Sequence, residues 1–431
     1  MLLKADINTV TILGQKLWHS TPRDYTKFFL KDNPFPAIGI PGDRINFCVD
    51  RLRSKSRFKD VLTELIYNDS SSITVLVGDY GSGKSHLLKL FKQSINEELL
   101  PQDNPILAAY VKSPGEDFRD FYLHFIDDID LDLLVEYSRN TIEKYFKNNR
   151  ENVAKWIHDQ DQKEKFLKGK YNFEDVFQKT QRSNLFTDIR KDYFKSVNFD
   201  DLVYAFLSLA SPEISSKAWK WFQGEKLEKN DKDILKVDKQ IDDDESTFMM
   251  FREFLKLQKV IGIKSLVLLI DELEKLTYIH AIKRTKYEDK LRDLIDENPK
   301  NLCIFFAIAP TQWKLLAKES TAFIRRLAGN WDELQGFEEK DTSELIETYL
   351  IFSRVEGISP NLMKERFKEC EVSLCPFTSN SVKRIQELTK GRVSQVIFIC
   401  RRLIDYYYDN QEKFPAITPD MVDTIWAKEG L

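Results

Sequence analysis

The stretch that most constrains this chain runs from Ile73 to Ile95. Ile73, Thr74, Val75, Leu76 and Val77 are β-rich and apolar, as a buried strand should be. Gly78, Asp79, Tyr80, Gly81, Ser82, Gly83, Lys84 and Ser85 then satisfy the spacing G-x-x-x-x-G-K-[ST]. Leu87, Leu88, Leu90, Phe91 and Ile95 fall on one face of a helix that starts at Lys84. Strand, glycine-rich turn and helix in this order are the setting in which that spacing reads as a P-loop and not as an ordinary turn.

The chemistry explains the residue types. A triphosphate is a dense anion that needs several donors at once. Glycines let backbone N–H groups curl inward with no Cβ in the way, and the start of the helix adds its positive end. This predicts that the run from Gly78 to His86 (Gly78, Asp79, Tyr80, Gly81, Ser82, Gly83, Lys84, Ser85 and His86) cradles ATP. Lys84 would carry a full charge to the β and γ phosphates, and the Ser85 hydroxyl would complete a Mg²⁺ shell.

Three later stretches fit the same chemistry. SLVLLI (265–270) is a continuous apolar run that suits a parallel strand covered on both faces. Asp271 and Glu272 follow at once, at the strand end where open α/β sheets bind ligands. Asp271 is the candidate to hold Mg²⁺ through water, and Glu272 the candidate to orient and polarise the attacking water. The competing reading is a strand ending in helix-capping acids. Glu274 reads as structural or as a partner of these residues. LCIFFAIAP (302–310) is another buried strand, and Thr311 after it either senses hydrolysis beside the γ-phosphate or sits in a strand-end turn. Arg325 and Arg326 lie on a short helix before a last strand expected at Glu333–Phe337. They read either as an arginine finger, which requires an oligomer, or as a solvated or salt-bridged pair.

The division expected is a lead-in over 1–45, a nucleotide-binding core over 46–112 and 265–340, a helical insertion over 113–264 and a helical lid over 341–431. The lead-in carries Trp18, Tyr25, Phe28 and Phe29, enough aromatic surface to pack onto a body. Ile38–Arg51 reads as a cover for adenine or as plain surface packing. A helix is expected over 46–68, a strand over 105–111, no strand from 113 to 264, and a charged helix over 272–296 ending near Asn298-Pro299. That helix has a basic side (Lys283, Arg284, Lys286, Lys290, Arg292) that is either DNA-facing or solvated and paired. The acidic run Asp242–Glu245 reads as a solvated turn in preference to a metal site. Gly391 suits a helix C-cap, with Arg392 directly after it.

The totals of the 431-residue chain, 42% hydrophobic, 31% charged and net charge -4, are those of a soluble globular protein. The net charge gives no support to a general nucleic-acid surface, so DNA contact would need a local patch. Cys48, Cys303, Cys370, Cys375 and Cys400 form no C-x-x-C pair. Cys303 and Cys400 read as buried thiols, and a cytoplasmic location is expected. Apolar runs are too short to span a bilayer, so no membrane contact is expected.

With P-loop, Asp-Glu strand, sensor strand, arginine pair and helical lid in this order, the chain resembles the AAA+ ATPases. Within them it resembles the initiator-type (Orc/Cdc6-like) branch, and more closely the ATP-binding proteins of BREX-type phage-defence systems. GDYGSGKSHLL (78–88), AWKWFQGEKL (218–227) and LVLLIDELEKL (266–276) carry the likeness, with Trp219, Trp221, Gly224 and Glu225 the most discriminating. The resemblance implies an α/β fold with a five-stranded parallel sheet, a large helical insertion and a C-terminal α-helical lid. It also implies ATP with Mg²⁺, a homo-oligomer, and work on DNA with other defence-system proteins. AAA+ lids often place a sensor arginine as G-x-P-R; here Arg392 follows Gly391 directly and is the lid residue assigned to the nucleotide. No winged-helix domain is expected after the lid helices. The leading expectation is an ATP-hydrolysing motor or switch. The alternatives are a nucleotide-dependent adaptor with little turnover, and a replication initiator or helicase loader.

Overall fold

The computed structural model describes residues 11–12, 15–16, 23–36, 49, 51–179, 182–297, 300–327 and 329–430. Trp18, Cys48, Asn298, Pro299 and, apart from Val49 and Arg51, the expected adenine cover at Ile38–Arg51 lie outside the described residues. The chain forms two compact units. One comprises residues 51–79 and 84–334, the other residues 1–50, 80–83 and 335–431.

The larger unit is built on strands β1 (Ser72–Gly78), β2 (Ile106–Val111), β3 (Ser265–Ile270), β4 (Leu302–Ile308) and β5 (Trp331–Leu334). They form one five-stranded sheet in the order β2-β3-β4-β1-β5, every pair parallel. Every residue of β2, β3 and β4 is buried, which is why these strands read as unbroken apolar runs. The register pairs Val77 with Ile308, Phe306 with Ile270 and Ile270 with Val111. Gly78, Val111, Asp271 and Ala309 therefore leave the sheet along one edge.

Two boundaries differ from the sequence expectation. The last strand is Trp331–Leu334 and not Glu333–Phe337. It is an edge strand with only Asp332 and Leu334 facing inward, so it lacks the continuous apolar signal that locates the others. The expected helix over 272–296 is broken. A 3₁₀ turn spans Leu273–Tyr278, Ile279 is extended, and the α-helix starts at Ala281. Leu273 and Leu276 are both buried, and their three-residue spacing places them on one face of a 3₁₀ turn.

Helix α1 (Leu52–Asn68) and helix α2 (Lys84–Ser94) flank β4. Phe58 and Phe91 stack at 3.6 Å between centroids, and Phe305 of β4 lies 5.4 Å from Phe58. Between β2 and β3 the described residues form helices and no strand. These helices share one hydrophobic core with the sheet. In helix α3 (Phe118–Asp128), Phe118 and Phe125 meet Phe248 and Phe251 edge-on at 4.9 and 5.0 Å.

The Trp-rich stretch forms helix α4 (Ser215–Phe222) and its exit. Trp221 is 0% exposed and its indole N–H donates to the Lys239 carbonyl at 3.0 Å. Glu225 N–H closes the helix on the Lys220 carbonyl at 2.9 Å, with Gly224 left-handed at φ +68. A Cβ on Gly224 would stand 2.6 Å from the Ile241 carbonyl oxygen. The discriminating tryptophan and glycine are thus packing devices.

The acidic run ends in the N-cap of helix α5 (Asp244–Val260), where Asp243 accepts from Ser246 N–H at 2.7 Å. No group of three or more metal-ligating side chains occurs among the described residues. Helix α6 (Ala281–Asp296) follows β3, and three of its basic residues pair with acids on other elements: Lys283 with Asp117 at 3.0 Å, Arg284 with Glu319 at 2.9 Å, Lys290 with Glu245 at 2.5 Å. Helices α7 (Pro310–Glu319) and α8 (Thr321–Leu327) connect β4 to β5. No helix among the described residues is long and apolar enough to cross a membrane.

In the smaller unit, helices α9 (Glu339–Phe352), α10 (Ser379–Thr389) and α11 (Val393–Asn410) surround their own core. The lead-in residues 23–36 are built into it. Phe28 lies 4.9 Å from Tyr407, and the Tyr25 phenol donates to Asp405 at 2.6 Å. Gly391 is left-handed, and a Cβ there would overlap the Phe337 backbone. In the same unit, Ser394 N–H donates to the Gly81 carbonyl at 3.1 Å. Cys303 and Cys400 are buried thiols.

Trp221→Ala is expected to cost about 3–5 kcal/mol, because the emptied site is lined by a closed core. The half-buried neighbour Trp219 should cost less than half as much when changed to Ala. Urea unfolding of both variants checks this; equal losses would mean that the buried indole is not the anchor of this segment.

Candidate nucleotide site

Lys84 opens α2 directly below the end of β1. Its ammonium donates to the Gly78 carbonyl at 2.6 Å and the Asp79 carbonyl at 3.1 Å. The side chain is 7% exposed. Burial pulls its pKa down, and the carboxylates of Glu274, Asp271 and Asp79 push it back up. Gly83 is left-handed at φ +94 with open space around its missing Cβ. Its requirement is therefore one of backbone conformation and not of room.

Asp271 leaves β3 buried, with its backbone N–H on the Val111 carbonyl at 2.9 Å. Its Oδ1 accepts from Glu272 N–H at 2.9 Å, and its Oδ2 accepts from the Tyr110 hydroxyl at 2.9 Å. Ser85 is exposed at the first turn of α2.

Glu272 is left-handed at φ 52, a conformation that costs a non-glycine residue about 1 kcal/mol or more. Its Oε2 lies 2.6 Å from Lys275 Nζ, and the side chain is 39% exposed. Glu274, read from sequence as structural or a partner, is the buried acid of the pair. Burial raises its pKa, while Lys84 and backbone N–H groups, Ala309 among them, lower it. Its Oε2 has no hydrogen-bond partner in the structure. Sequence reasoning underrated Glu274 and missed Tyr110; a polar tip in the apolar run of β2 was the available signal.

Thr311 is exposed in the first turn of α7, two residues beyond Ala309. His86 is half-buried on α2. Arg326 is exposed and grips Asp296 through Nε at 2.6 Å and the second guanidinium nitrogen at 2.5 Å. It also lines a cavity with Ser72, Leu302 and Asn330, at the opposite, amino end of the strands. Arg325 is exposed on the same helix. Arg392 belongs to the smaller unit, where it is exposed and precedes α11. Asp79 and Tyr80 are exposed, Ser82 is buried and Gly81 is left-handed at φ 78. The structure thus brings Lys84, Ser85, Asp271 and Glu274 together at one sheet edge, and it does not bring Arg326 there.

A parallel sheet of this order, a P-loop on its β1–α2 turn and buried acids after β3 define an ATP-binding α/β protein of the AAA+ class. The family of BREX system ATP-binding proteins BrxC/D matches residues 46–345, and the chain belongs to it. Among curated proteins no relative matches. Solved structures that resemble it include the ORC2 protein of Aeropyrum pernix in its ADP form (10% identity, 92% of this chain and 72% of that chain, TM-score 0.47). Drosophila ORC bound to DNA is another (11% identity, 99% and 72%, TM-score 0.39).

Lys84→Ala is expected to weaken ATP binding by about 30-fold or more, the scale of removing one partner from a desolvated charge pair. Calorimetric titration of the folded variant checks it. Retention of parental affinity would remove Lys84 from the site.

Proposed function

We propose that this chain hydrolyses ATP with Mg²⁺ and couples turnover to conformational change on DNA or partner proteins in an antiviral defence system. The observation that carries the proposal is the convergence of Lys84, Ser85, Asp271 and Glu274 at the carboxyl edge of one sheet. Magnesium fits the donor set, since a hydroxyl and a carboxylate are the hard oxygen ligands it prefers. Ser85 and Asp271 are the residues that would hold it. When bound, the metal neutralises charge on the β and γ phosphates.

The protein's own groups do the rest. Lys84 exchanges the partial charges of two carbonyls for the full charges of phosphate oxygens. Glu274 keeps a second negative group beside Lys84 and so holds the ammonium at the sheet edge. Glu272 leaves Lys275 and accepts a hydrogen bond from the attacking water, orienting its lone pair. Thr311 offers a hydroxyl from the end of β4 as the sensing group. Arg325 is the finger toward a neighbouring copy in a homo-oligomer, because Arg326 is engaged with Asp296. DNA is contacted through a local surface, as the net charge of -4 requires.

A second reading, a nucleotide-dependent adaptor, has one observation in its favour. Glu272 is held by Lys275 at 2.6 Å, a state in which it polarises no water. Turnover measured with and without duplex DNA separates the two, and stimulated turnover speaks against the adaptor.

Glu272→Gln is expected to keep ATP affinity within a few-fold while lowering turnover by about 10²–10⁴, the range for loss of a positioned base. Single-turnover hydrolysis and nucleotide retention measure both. Parental turnover would dismiss Glu272 from its role. Arg325→Ala should lower turnover only at concentrations where the chain self-associates, as read by ATPase assays beside sedimentation. A loss that is the same in dilute and concentrated samples would rule out a finger acting between copies.

A further inference from the structure

We propose that Tyr110 is a positioning residue for the metal-holding side of the site, its phenol fixing the Asp271 carboxylate that would hold the metal. This rests on the ATP-and-magnesium reading above. Tyr110 is the penultimate residue of β2, in the otherwise apolar run Ile106–Val111. A phenol in such a strand costs free energy unless its hydroxyl finds partners. Here it finds a buried one, donating to Asp271 Oδ2 at 2.9 Å.

The direction of this bond matters: the phenol donates and the Asp271 carboxylate accepts. With Glu272 N–H on Oδ1 at 2.9 Å, the carboxylate is held on both oxygens, which fixes its plane while leaving lone pairs open. Groups that orient metal ligands from behind act in this way.

Tyr110 is itself held firmly. It is 9% exposed, its backbone N–H donates to Asp128 Oδ2 at 2.6 Å, and Asp128 is paired with Lys92 of α2 at 2.7 Å. The Lys89 ammonium lies 5.6 Å from its ring centroid. Tyr110 thereby ties β2 to both α2, which carries Ser85, and the end of β3, which carries Asp271.

The test uses the full chain and Tyr110→Phe, which keeps the ring and removes the hydroxyl. A fluorescent ADP derivative is titrated in EDTA, and Mn²⁺ binding to the ADP complex is followed by electron paramagnetic resonance. The expected result is metal-free ADP affinity within about 2-fold of the parent and Mn²⁺ binding weakened about 10-fold, as for other groups behind metal ligands. Tyr110→Leu, which also lacks the hydroxyl, should show the same Mn²⁺ loss. Parental Mn²⁺ affinity in either folded variant overturns the proposal. So does an equal loss of ADP affinity with and without metal, which marks a packing role. A parent chain that binds no ADP, or binds no Mn²⁺ with it, instead overturns the ATP-and-magnesium reading, and the inference with it.

Discussion

A lysine ammonium taken out of water must be met by fixed negative or partly negative groups, or it destabilises the fold. Lys84 is such a group, and much of the larger unit is arranged around meeting it. Two carbonyls of its own turn accept its hydrogens, and Glu274 and Asp271 counter the burial electrostatically. These partners come from segments nearly two hundred positions further on. They arrive because strands joined by crossovers run parallel, so the exits of β1, β3 and β4 share one edge. The sheet is the device that lets a buried cation and two buried acids compensate one another, and an anion with its own cation is what that arrangement can exchange for.

The helices between β2 and β3 are part of the same arrangement. Their phenylalanines pack with the sheet in one core, and α5 leads almost directly into β3. Asp271 thus stands at the far end of a strand whose near end is set by the insertion. Displacement of α5 would bear on β3 through close-packed contacts, since such cores yield little. In the smaller unit, residues near the start of the chain and residues near its end form a single core. Tyr25 and Asp405 meet across most of the sequence.

The buried strands were legible because burial on both faces writes an unbroken apolar run. The edge strand was misplaced because one face is open, and only alternate residues of Trp331–Leu334 are buried. The helix expected over 272–296 failed for a related reason. Charged residues on both sides of Tyr278 have helical spacing, whereas the break at Ile279 comes from a buried 3₁₀ turn and not from a proline or glycine. In the site, Lys84, Ser85 and Asp271 announce themselves by spacing. Glu274 does not, because an acid on a charged segment looks solvated until its neighbours are known.

By itself, the sequence determined the glycine-rich turn, the strands around it and the acid pair after β3, because each of these is written in local spacing and local burial. Tertiary structure alone decided that Glu274 and not Glu272 is the acid buried beside Lys84, that Arg326 is engaged with Asp296, and that Tyr110 donates to Asp271. All three depend on which residues meet across long separations. No periodicity within a segment encodes that, because it follows from the order and register in which the strands assemble.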